Sequence, residues 1–367
     1  MLGLYVHVPF CLSKCPYCDF YSIPLPDTAV LDAYTDEVCR RLQAVDTPAD
    51  TLYFGGGTPS LLGGERLARI IGEARRRGLR DDAEVTLEAN PADRLYDTLA
   101  AFAGAGGNRL SLGMQAVTPH GLAALGRRHT VDDLEAAVAD AAKAGLSNLS
   151  LDIMLATPSQ TEDDVKAAVK RCDELGASHV SAYLLKTEPG TPFFERRDTL
   201  DLPDEDQTAA LYLLAGEQLE AHGFAQYEIS NFAKNGAESR HNRKYWDGQP
   251  YLGIGPAAHS FINGKRWYFE RSLEAFLQGA APKEEDPDAA ITDNSEEEYA
   301  MLRLRLTEGL CTDGFEERFG HPLPTAWIKA ATRLPSHLVT ASDDRIALTR
   351  EGFLLSNALT ARILWSD

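Results

Sequence analysis

The sequence predicts an α/β protein built around a partial (β/α)6 TIM-like barrel, followed by a small C-terminal winged-helix-like α+β domain. Three observations support this prediction: six short apolar, β-branched runs, the helical segments that alternate with them, and a charged, proline-rich stretch ahead of a separate group of elements. Strands separated by helices form a parallel sheet with right-handed crossovers. Binding residues in such folds belong at the carboxyl ends of the strands.

The predicted elements alternate along the first two thirds of the chain. The predicted strands are residues 3–8, 51–54, 84–88, 109–114, 148–154 and 179–185, and the predicted helices are residues 27–45, 65–78, 92–103, 131–144, 162–175 and 205–222. Polar side chains that commonly cap helix amino termini mark several starts, namely Asp27, Thr130, Thr161 and Asp204. Glycines, which readily adopt the left-handed backbone conformation, mark several ends, namely Gly78, Gly145, Gly176 and Gly223.

Composition changes divide the chain into three predicted parts. Residues 1–225 form the barrel, and residues 226–288 contain a polar motif, a further strand over 251–261 and a linker, 281–288, rich in charge and proline. Residues 289–367 form the C-terminal domain, with helices over 296–306 and 351–364 and a hairpin that turns at residues 343–344. A length of 367 residues fits one large and one smaller domain.

The overall composition predicts a soluble, globular protein of the cytoplasm. Hydrophobic residues make up 44% and charged residues 25% of the sequence, and neither a signal peptide nor a membrane-spanning run is apparent. The net charge of −19 argues against a nucleic-acid partner, because phosphate backbones need a basic face. Three scattered cysteines, Cys39, Cys172 and Cys311, fit buried apolar positions in a reducing compartment.

Three cysteines close to the amino terminus, Cys11, Cys15 and Cys18, form the strongest chemical motif. A disulfide would leave one thiol over, and a zinc site would need a fourth ligand such as His7 or Cys39. On a four-iron cluster, three thiolates leave one iron free to bind a small molecule. The motif resembles that of the radical S-adenosylmethionine (SAM) superfamily, in which the open iron binds SAM. This resemblance implies a [4Fe–4S] cluster, SAM and a barrel of the radical SAM type, with a zinc-binding scaffold as the alternative.

Polar or glycine residues also fall where predicted strands end, as expected of a binding site in this fold. The second strand runs into residues 55–59, GGGTP, whose missing side chains let a ligand approach the backbone. The third, fourth and fifth strands carry Glu88, Gln115 and Asp152, and Arg127 lies between the last two. A carboxylate in an apolar strand needs a partner, which hydroxyl or ammonium groups of SAM would supply. The structural alternatives are a tight strand-to-helix turn and salt bridges between strands and helices.

Nearly the whole chain resembles the group that contains the oxygen-independent coproporphyrinogen III oxidases and the HemW-type heme chaperones. The resemblance implies that matching positions contact SAM or the cluster, namely Tyr5, Tyr17, Gly56, Gly57, Thr58, Glu88, Gln115, Arg127 and Asp152. By analogy, Lys186 and Ile254 also border the SAM site. One departure lies in residues 152–158, where Ala156 and Thr157 stand in place of the usual glycine and leucine before the proline. The shape of that loop is therefore expected to differ.

Three features favour the chaperones over the oxidases within this group. Phe20 stands where the oxidases usually carry a fourth cysteine, and the ten residues before Cys11 are fewer than their amino-terminal arm. Residues 240–246, RHNRKYW, resemble the histidine-containing heme motif of the chaperones. This segment offers a histidine for iron, an arginine for propionates and two aromatic rings for the porphyrin, namely His241, Arg243, Tyr245 and Trp246. A polar loop with a structural histidine is the alternative.

The resemblance implies a heme chaperone that binds heme and a SAM-coordinated [4Fe–4S] cluster and transfers heme to acceptor proteins. Membrane-bound respiratory enzymes are candidate acceptors, and a homodimer is a further expectation left open. Coproporphyrinogen III oxidase activity is not expected, and no catalytic residue is assigned. The alternative from the enzyme class is a radical SAM enzyme that acts on a tetrapyrrole, as the oxidative decarboxylase of coproporphyrinogen III or as a related oxidase or methyltransferase.

Overall fold

The structure is a computed structural model that describes residues 1–92, 94–285 and 292–365. In chain order, the first elements are β1 (Leu2–Val8), β2 (Phe10–Cys11), β3 (Ile23–Pro24), α1 (Thr28–Leu42), β4 (Ala49–Gly56), a 3-10 helix (Pro59–Leu62), α2 (Gly64–Arg76), β5 (Leu79–Ala89), α3 (Tyr96–Gly104), β6 (Arg109–Gln115), α4 (Pro119–Ala124), α5 (Val131–Lys143), β7 (Asn148–Leu155), α6 (Glu162–Glu174) and β8 (His179–Leu184).

The chain then adds a second series of mostly shorter elements. These are α7 (Pro192–Glu195), a 3-10 helix (Arg197–Thr199), α8 (Glu205–Ala221), β9 (Ala225–Gln226), β10 (Asn231–Ala233), α9 (Arg240–Trp246), β11 (Tyr251–Ile254), β12 (His259–Ile262), β13 (Lys265–Tyr268), α10 (Leu273–Leu277) and β14 (Lys283–Glu284).

Within the described residues, twelve strands form one sheet in the order β14-β13-β12-β11-β1-β4-β5-β6-β7-β8-β10-β9. The strands from β11 through β1 to β8 are parallel, and antiparallel strands extend the sheet at both ends. No pairing joins the outermost described strands, so the barrel is partial, as the sequence predicts. The six predicted parallel strands are all present, and β11 joins them beside β1.

Local sequence signals explain how the helices begin and end. The predicted cap side chains accept hydrogen bonds from backbone amides of the first turn, and they are Asp27, Thr130, Thr161 and Asp204. The predicted terminal glycines have φ angles between 73° and 96°, and they are Gly78, Gly145, Gly176 and Gly223. Strands such as β4 and β6 are buried along nearly their whole length. This burial accounts for their continuous apolar runs.

The structure differs from the predicted elements at several places. The predicted strand over 251–261 is two strands, β11 and β12, because Gly255 (φ 122°) and Ala257 (φ 63°) turn the chain between them. The predicted helix over 351–364 is interrupted at Leu355. The predicted helix over 92–103 begins at Tyr96, and its residue 93 lies outside the described residues, as do residues 286–288 of the predicted linker. Of the three scattered cysteines, Cys172 is buried, whereas Cys39 and Cys311 are only half-buried.

The C-terminal elements have the order of a winged helix. They are α11 (Glu296–Arg303), β15 (Leu310–Cys311), α12 (Thr312–Phe319), α13 (Thr325–Thr332), β16 (Val339–Ser342), β17 (Arg345–Leu348), α14 (Arg350–Leu354) and α15 (Ser356–Trp365). In this described part, β15, β17 and β16 form an antiparallel sheet in that order. The hairpin turns between residues 342 and 345, as the sequence predicts. Among all described residues, no helix is long and apolar enough to cross a membrane.

Candidate functional site

A cavity of about 630 Å³ lies at the carboxyl ends of strands β4 to β8 and under the cysteine loop. Its walls bring together most of the residues that the sequence analysis selects: Cys11, Cys15, Cys18, Tyr17, Gly56, Gly57, Thr58, Glu88, Gln115, Arg127, Asp152 and Lys186. The location is the one that the fold predicts for a binding site, because the ends of parallel strands converge there.

The three loop cysteines are free thiols, all half-buried at the cavity. The Thr58 hydroxyl donates to Cys11 Sγ at 3.7 Å, and the Arg127 guanidinium donates to Cys15 Sγ at 3.5 Å. Two of the three sulfur atoms thus have hydrogen-bond donors beside them, and cysteine thiolates are the ligands that hold iron–sulfur clusters. His7 does not border the cavity, since its ring lies between Tyr21 O (2.9 Å) and the Tyr5 hydroxyl (3.1 Å).

The glycine turn after β4 packs directly against the start of the cysteine loop. A Cβ atom at Gly57 would lie 2.7 Å from the carbonyl oxygen of Phe10, and Gly56 has a φ of 110°. The amides of Gly57 and Thr58 donate to Val8 O and Phe10 O, each at 2.8 Å. Because these amides are used, the turn can offer carbonyl oxygens to a ligand, which suits an ammonium group.

Two carboxylates face the cavity from neighbouring parts of the sheet. Glu88 accepts from the Tyr53 hydroxyl at 2.7 Å and from the Gly56 amide at 3.2 Å. Burial raises the pKa of Glu88 from its usual 4.5 to about 7, and the nearby charge of Asp152 adds to the rise. Burial also raises the pKa of Asp152, which accepts from the Ser111 hydroxyl at 3.2 Å. A ligand with hydroxyl or ammonium donors would stabilise both groups as carboxylates.

Arg127 and Gln115 form the wall nearest to β6. Arg127 Nη2 donates to Gly113 O at 2.8 Å and to Asn90 Oδ1 at 2.5 Å, which holds the guanidinium beside Cys15. Gln115 has a φ of 64°, and its buried Oε1 makes no hydrogen bond within the described residues. The Nε atom of Arg127 is likewise buried and unpartnered there. Unpaired buried polar atoms at a cavity are groups that a bound polar ligand or an ordered water can satisfy.

Sequence reasoning missed two polar residues that complete these walls. Asn90 donates to Thr58 Oγ1 at 2.8 Å while its oxygen accepts from Arg127, so it positions both. Ser111 binds Asp152 from the adjacent strand β6. Both residues lie in the cavity wall. Asn90 directly follows β5 and Ser111 lies within β6, and these positions were the sequence signal that could have identified them as site residues.

Tyr5 and Ile254, expected at the SAM site, do not border the cavity. Tyr5 points from β1 to His7, and its ring lies 6.2 Å from that of Tyr53. Ile254 is 1% exposed in the core at the end of β11. Lys186 does border the cavity with an exposed side chain.

The predicted heme residues lie on α9, away from this cavity. His241 is 1% exposed, its Nδ1 lies 2.8 Å from the Thr51 hydroxyl, and its Nε2 lies 2.9 Å from the Tyr245 hydroxyl. Burial lowers the pKa of His241 to about 3. Its ring also stacks on Tyr53, with centroids 5.2 Å apart. Neither ring nitrogen is therefore available to iron in this arrangement.

The other residues of the heme segment also have partners within the protein. Arg243 forms ion pairs with Glu238 and Glu308. The Tyr245 ring packs edge-on against Tyr251 at 4.6 Å, and the guanidinium of Arg305 lies 4.6 Å above the Trp246 ring. The structure thus does not bring the four predicted heme residues together around an open site.

Comparison with known proteins agrees with the fold. The family model of the radical SAM superfamily matches residues 5–172, and that of the HemN C-terminal domain matches residues 296–355. Proteins named heme chaperone HemW are similar: that of Mycobacterium tuberculosis is 38% identical over 99% of this chain and 94% of its own length, and that of Bacillus subtilis is 34% identical over 99% of both. The Escherichia coli HemW is 33% identical over 98% of this chain and 97% of its own.

A solved structure shows the same fold. The solved structure of the Escherichia coli coproporphyrinogen III oxidase (HemN) superposes with a TM-score of 0.81 at 21% identity, covering 99% of this chain and 89% of that one. Since the identity is low, this likeness supports the fold, whereas the curated relatives support the family. The chain therefore belongs to the HemW family of the radical SAM superfamily.

Proposed function

We propose that this protein is a heme chaperone that holds a [4Fe–4S] cluster and SAM in the cavity at the strand ends and passes heme to acceptor proteins. The observation that carries the proposal is the convergence of three thiols from one loop with two half-buried carboxylates on a single cavity. The names of the curated relatives, heme chaperone HemW, support the carrier role.

Cys11, Cys15 and Cys18 would hold the cluster, and Thr58 and Arg127 would donate hydrogen bonds to the sulfur atoms of Cys11 and Cys15. When bound, the cluster supplies an iron that coordinates the amino and carboxylate groups of SAM. Carbonyl oxygens of the glycine turn would accept from the ammonium group, and Glu88 and Asp152 would accept from ribose hydroxyls. Gln115 Oε1 and Arg127 Nε, both buried without a partner among the described residues, would complete the contacts.

A radical SAM enzyme acting on a tetrapyrrole is the second candidate function. The completeness of the predicted SAM site favours it, since nearly every expected SAM residue borders the cavity. Coproporphyrinogen III oxidation remains the less favoured reaction, because Phe20 stands in the cavity wall where the oxidases usually carry a cysteine. The acceptor proteins, a homodimer and the cytoplasmic location stay predictions.

The test combines four measurements on anaerobically reconstituted protein. We expect about four irons and four sulfides per chain, SAM binding by calorimetry, and heme binding by absorbance titration. Heme loaded on the protein should then move to a heme-free respiratory enzyme presented in membranes. A chain that binds SAM and cluster but neither binds nor transfers heme would contradict the chaperone proposal and favour the enzyme.

A further inference from the structure

Asn90, half-buried directly after β5, connects two hydrogen-bond donors that reach different cysteines. Its Nδ2 donates to Thr58 Oγ1 at 2.8 Å, and its Oδ1 accepts from Arg127 Nη2 at 2.5 Å. Thr58 in turn donates to Cys11 Sγ at 3.7 Å, and Arg127 Nη1 donates to Cys15 Sγ at 3.5 Å. One amide side chain is thus bonded to the donors of two of the three predicted cluster ligands.

The two ends of the Asn90 amide cannot exchange places. A guanidinium carries only donors, so the amide oxygen must face Arg127, and the NH2 group therefore faces Thr58. Because an NH2 group only donates, Thr58 Oγ1 has to accept from it, and the single hydroxyl hydrogen is left for another acceptor. The acceptor that this hydrogen meets is Cys11 Sγ. Asn90 thereby fixes the direction of a hydroxyl group that could otherwise rotate.

Asn90 also helps to orient the guanidinium of Arg127. Nη2 is held by Asn90 Oδ1 and by Gly113 O, which lies 2.8 Å away, and this arrangement points Nη1 at Cys15 Sγ. The Gly113 carbonyl would remain if the Asn90 side chain were removed. Within the described residues, by contrast, the Thr58 hydroxyl has no partner besides Asn90 and Cys11. The contact with Cys11 therefore depends more on Asn90 than the contact with Cys15 does.

Hydrogen bonds to the cysteine sulfurs are one of the factors that set the reduction potential of an iron–sulfur cluster. A one-electron reduction adds negative charge to the cluster and its sulfur ligands. A donor beside such a sulfur stabilises the reduced state more than the oxidised state, because a hydrogen bond strengthens with the negative charge on its acceptor. The donors on Thr58 and Arg127 are therefore expected to raise the potential.

We infer that Asn90 is a positioning residue that raises the reduction potential of the cluster, because it directs the Thr58 hydroxyl at Cys11 and helps to hold Arg127 beside Cys15. The inference rests on the cluster-binding part of the proposed function. It depends neither on heme binding nor on cleavage of SAM.

The test is an anaerobic redox titration of the full, cluster-loaded chain without SAM, with the EPR signal of the reduced cluster as the readout. Asn90→Leu has a similar size but no polar atoms in its side chain. It should lower the ratio of reduced to oxidised cluster at a fixed potential by roughly three- to tenfold, a tenfold change being ~59 mV for one electron. Thr58→Val should act in the same direction, whereas Thr58→Ser keeps the hydroxyl and should retain the wild-type potential. Adding Asn90→Leu to Thr58→Val should have a smaller effect, since the contact with Cys11 is already lost.

Asn90→Asp is the second variant, for the case in which Asn90→Leu takes up no cluster. Its carboxylate can still accept from Arg127, but it also accepts from the Thr58 hydroxyl and so draws the hydrogen away from Cys11. Because the added charge lowers the potential as well, its shift is compared with the shift in Thr58→Val, where no hydroxyl can turn. The larger shift is expected where Thr58 is present, and equal shifts would contradict the inference.

Asn108→Leu is the matched control. The Asn108 amide is likewise bonded at both ends, to Ala83 O at 2.8 Å and to the Val85 amide at 2.9 Å, but Asn108 does not border the cavity. Its replacement should lower stability without changing the potential.

Iron and sulfide contents establish that the compared chains carry the same cluster. If Asn90→Leu holds a full cluster at the wild-type potential, the inference is wrong while the cluster-binding function stands. Additive shifts of Asn90→Leu and Thr58→Val would also overturn it, since Asn90 would then not act through Thr58. An equal shift in Asn108→Leu would do the same, because general destabilisation would account for the effect. If the wild-type chain takes up no cluster, the proposed function itself fails, and the inference with it.

Discussion

Replacing Glu88 by glutamine should change the pH dependence of stability in a direction fixed by burial. The pKa of Glu88 rises from 4.5 to about 7 on folding, chiefly because burial disfavours the carboxylate. Below pH 4.5 the carboxyl group is protonated in both the folded and the unfolded chain. Between pH 4.5 and about 7 the unfolded chain loses its proton first, so the wild-type protein loses stability relative to Glu88→Gln. Above about pH 7 the difference stays constant.

The size of this effect follows from the same values. A rise from 4.5 to about 7 corresponds to roughly 3 kcal/mol, at ~1.36 kcal/mol for each unit of pKa. Glu88 borders the cavity and is only half-buried, so this figure is an upper value, and about 2 kcal/mol is the expected fall. In the wild type the Gly56 amide donates to Glu88, and in Glu88→Gln a side-chain amide stands beside it, at a free-energy cost that does not depend on pH. Only the change of the stability difference with pH is therefore compared with the expected value.

The assay is urea unfolding of wild type and Glu88→Gln between pH 4.5 and 8.5, without SAM and at matched cluster content. Glu317→Gln, on the exposed face of α12, is the control and should track the wild type throughout. SAM should restore part of the wild-type stability at pH 8, because its donors favour the carboxylate, and the variant should bind SAM more weakly. A stability difference that does not change with pH would refute the burial argument.

Three further predictions concern the cluster, the glycine turn and catalysis. Alanine at Cys11, Cys15 or Cys18 should abolish cluster loading, measured as iron and acid-labile sulfide. Cys39→Ala should leave loading unchanged, since Cys39 lies on α1, away from the cavity. Stoichiometric zinc without sulfide in the wild type would contradict this prediction. Gly57→Ala should lower the free energy of unfolding by roughly 1–3 kcal/mol and release cluster, because its Cβ would meet Phe10 O at 2.7 Å. The matched Gly72→Ala, whose Cβ would approach nothing closer than 3.8 Å, should be neutral or stabilise helix α2 by up to ~1 kcal/mol. With SAM and reductant under anaerobic conditions, the protein should form no protoporphyrinogen from coproporphyrinogen III. Phe20→Cys alone should not create that activity. Formation of protoporphyrinogen by the wild type over many turnovers would overturn the prediction.

The parts of the structure that the sequence predicts are those set by local interactions. Helix caps and terminal glycines act within one turn, so Asp27 and Gly78 were sufficient to mark their helix ends. Strand ends converge at one edge of a parallel sheet, which is why Glu88 and Asp152 could be placed at one cavity. For Tyr5, on a strand buried on both faces, the sequence carries no alternation that would tell which side the ring faces.

The burial of His241 depends on partners that no local pattern reveals. Thr51 lies 190 positions from His241 in the chain, and its hydroxyl contacts the imidazole. Glu84 lies 157 positions from His241 and accepts a hydrogen bond from its backbone amide. The segment 240–246 has the composition of a ligand loop, but its helix packs beneath β4, where the histidine becomes a structural group. The structural alternative for this segment, a histidine with satisfied hydrogen bonds, therefore describes the observed arrangement.

The position of His241 links α9 to the SAM site without any contact to the cavity. Its ring stacks on Tyr53, and the Tyr53 hydroxyl donates to Glu88, which borders the cavity. Removing the imidazole would leave Tyr53 without that packing surface, and any displacement of the Tyr53 ring would weaken the hydrogen bond that most favours the charged form of Glu88. A His241 variant can thus weaken SAM binding, and through it heme loading, although His241 does not border the cavity. Loss of heme binding in such a variant would therefore not by itself identify an iron ligand. SAM affinity measured on the same variant separates the two causes, because an effect passed through Tyr53 and Glu88 lowers it, whereas the loss of an iron ligand alone does not.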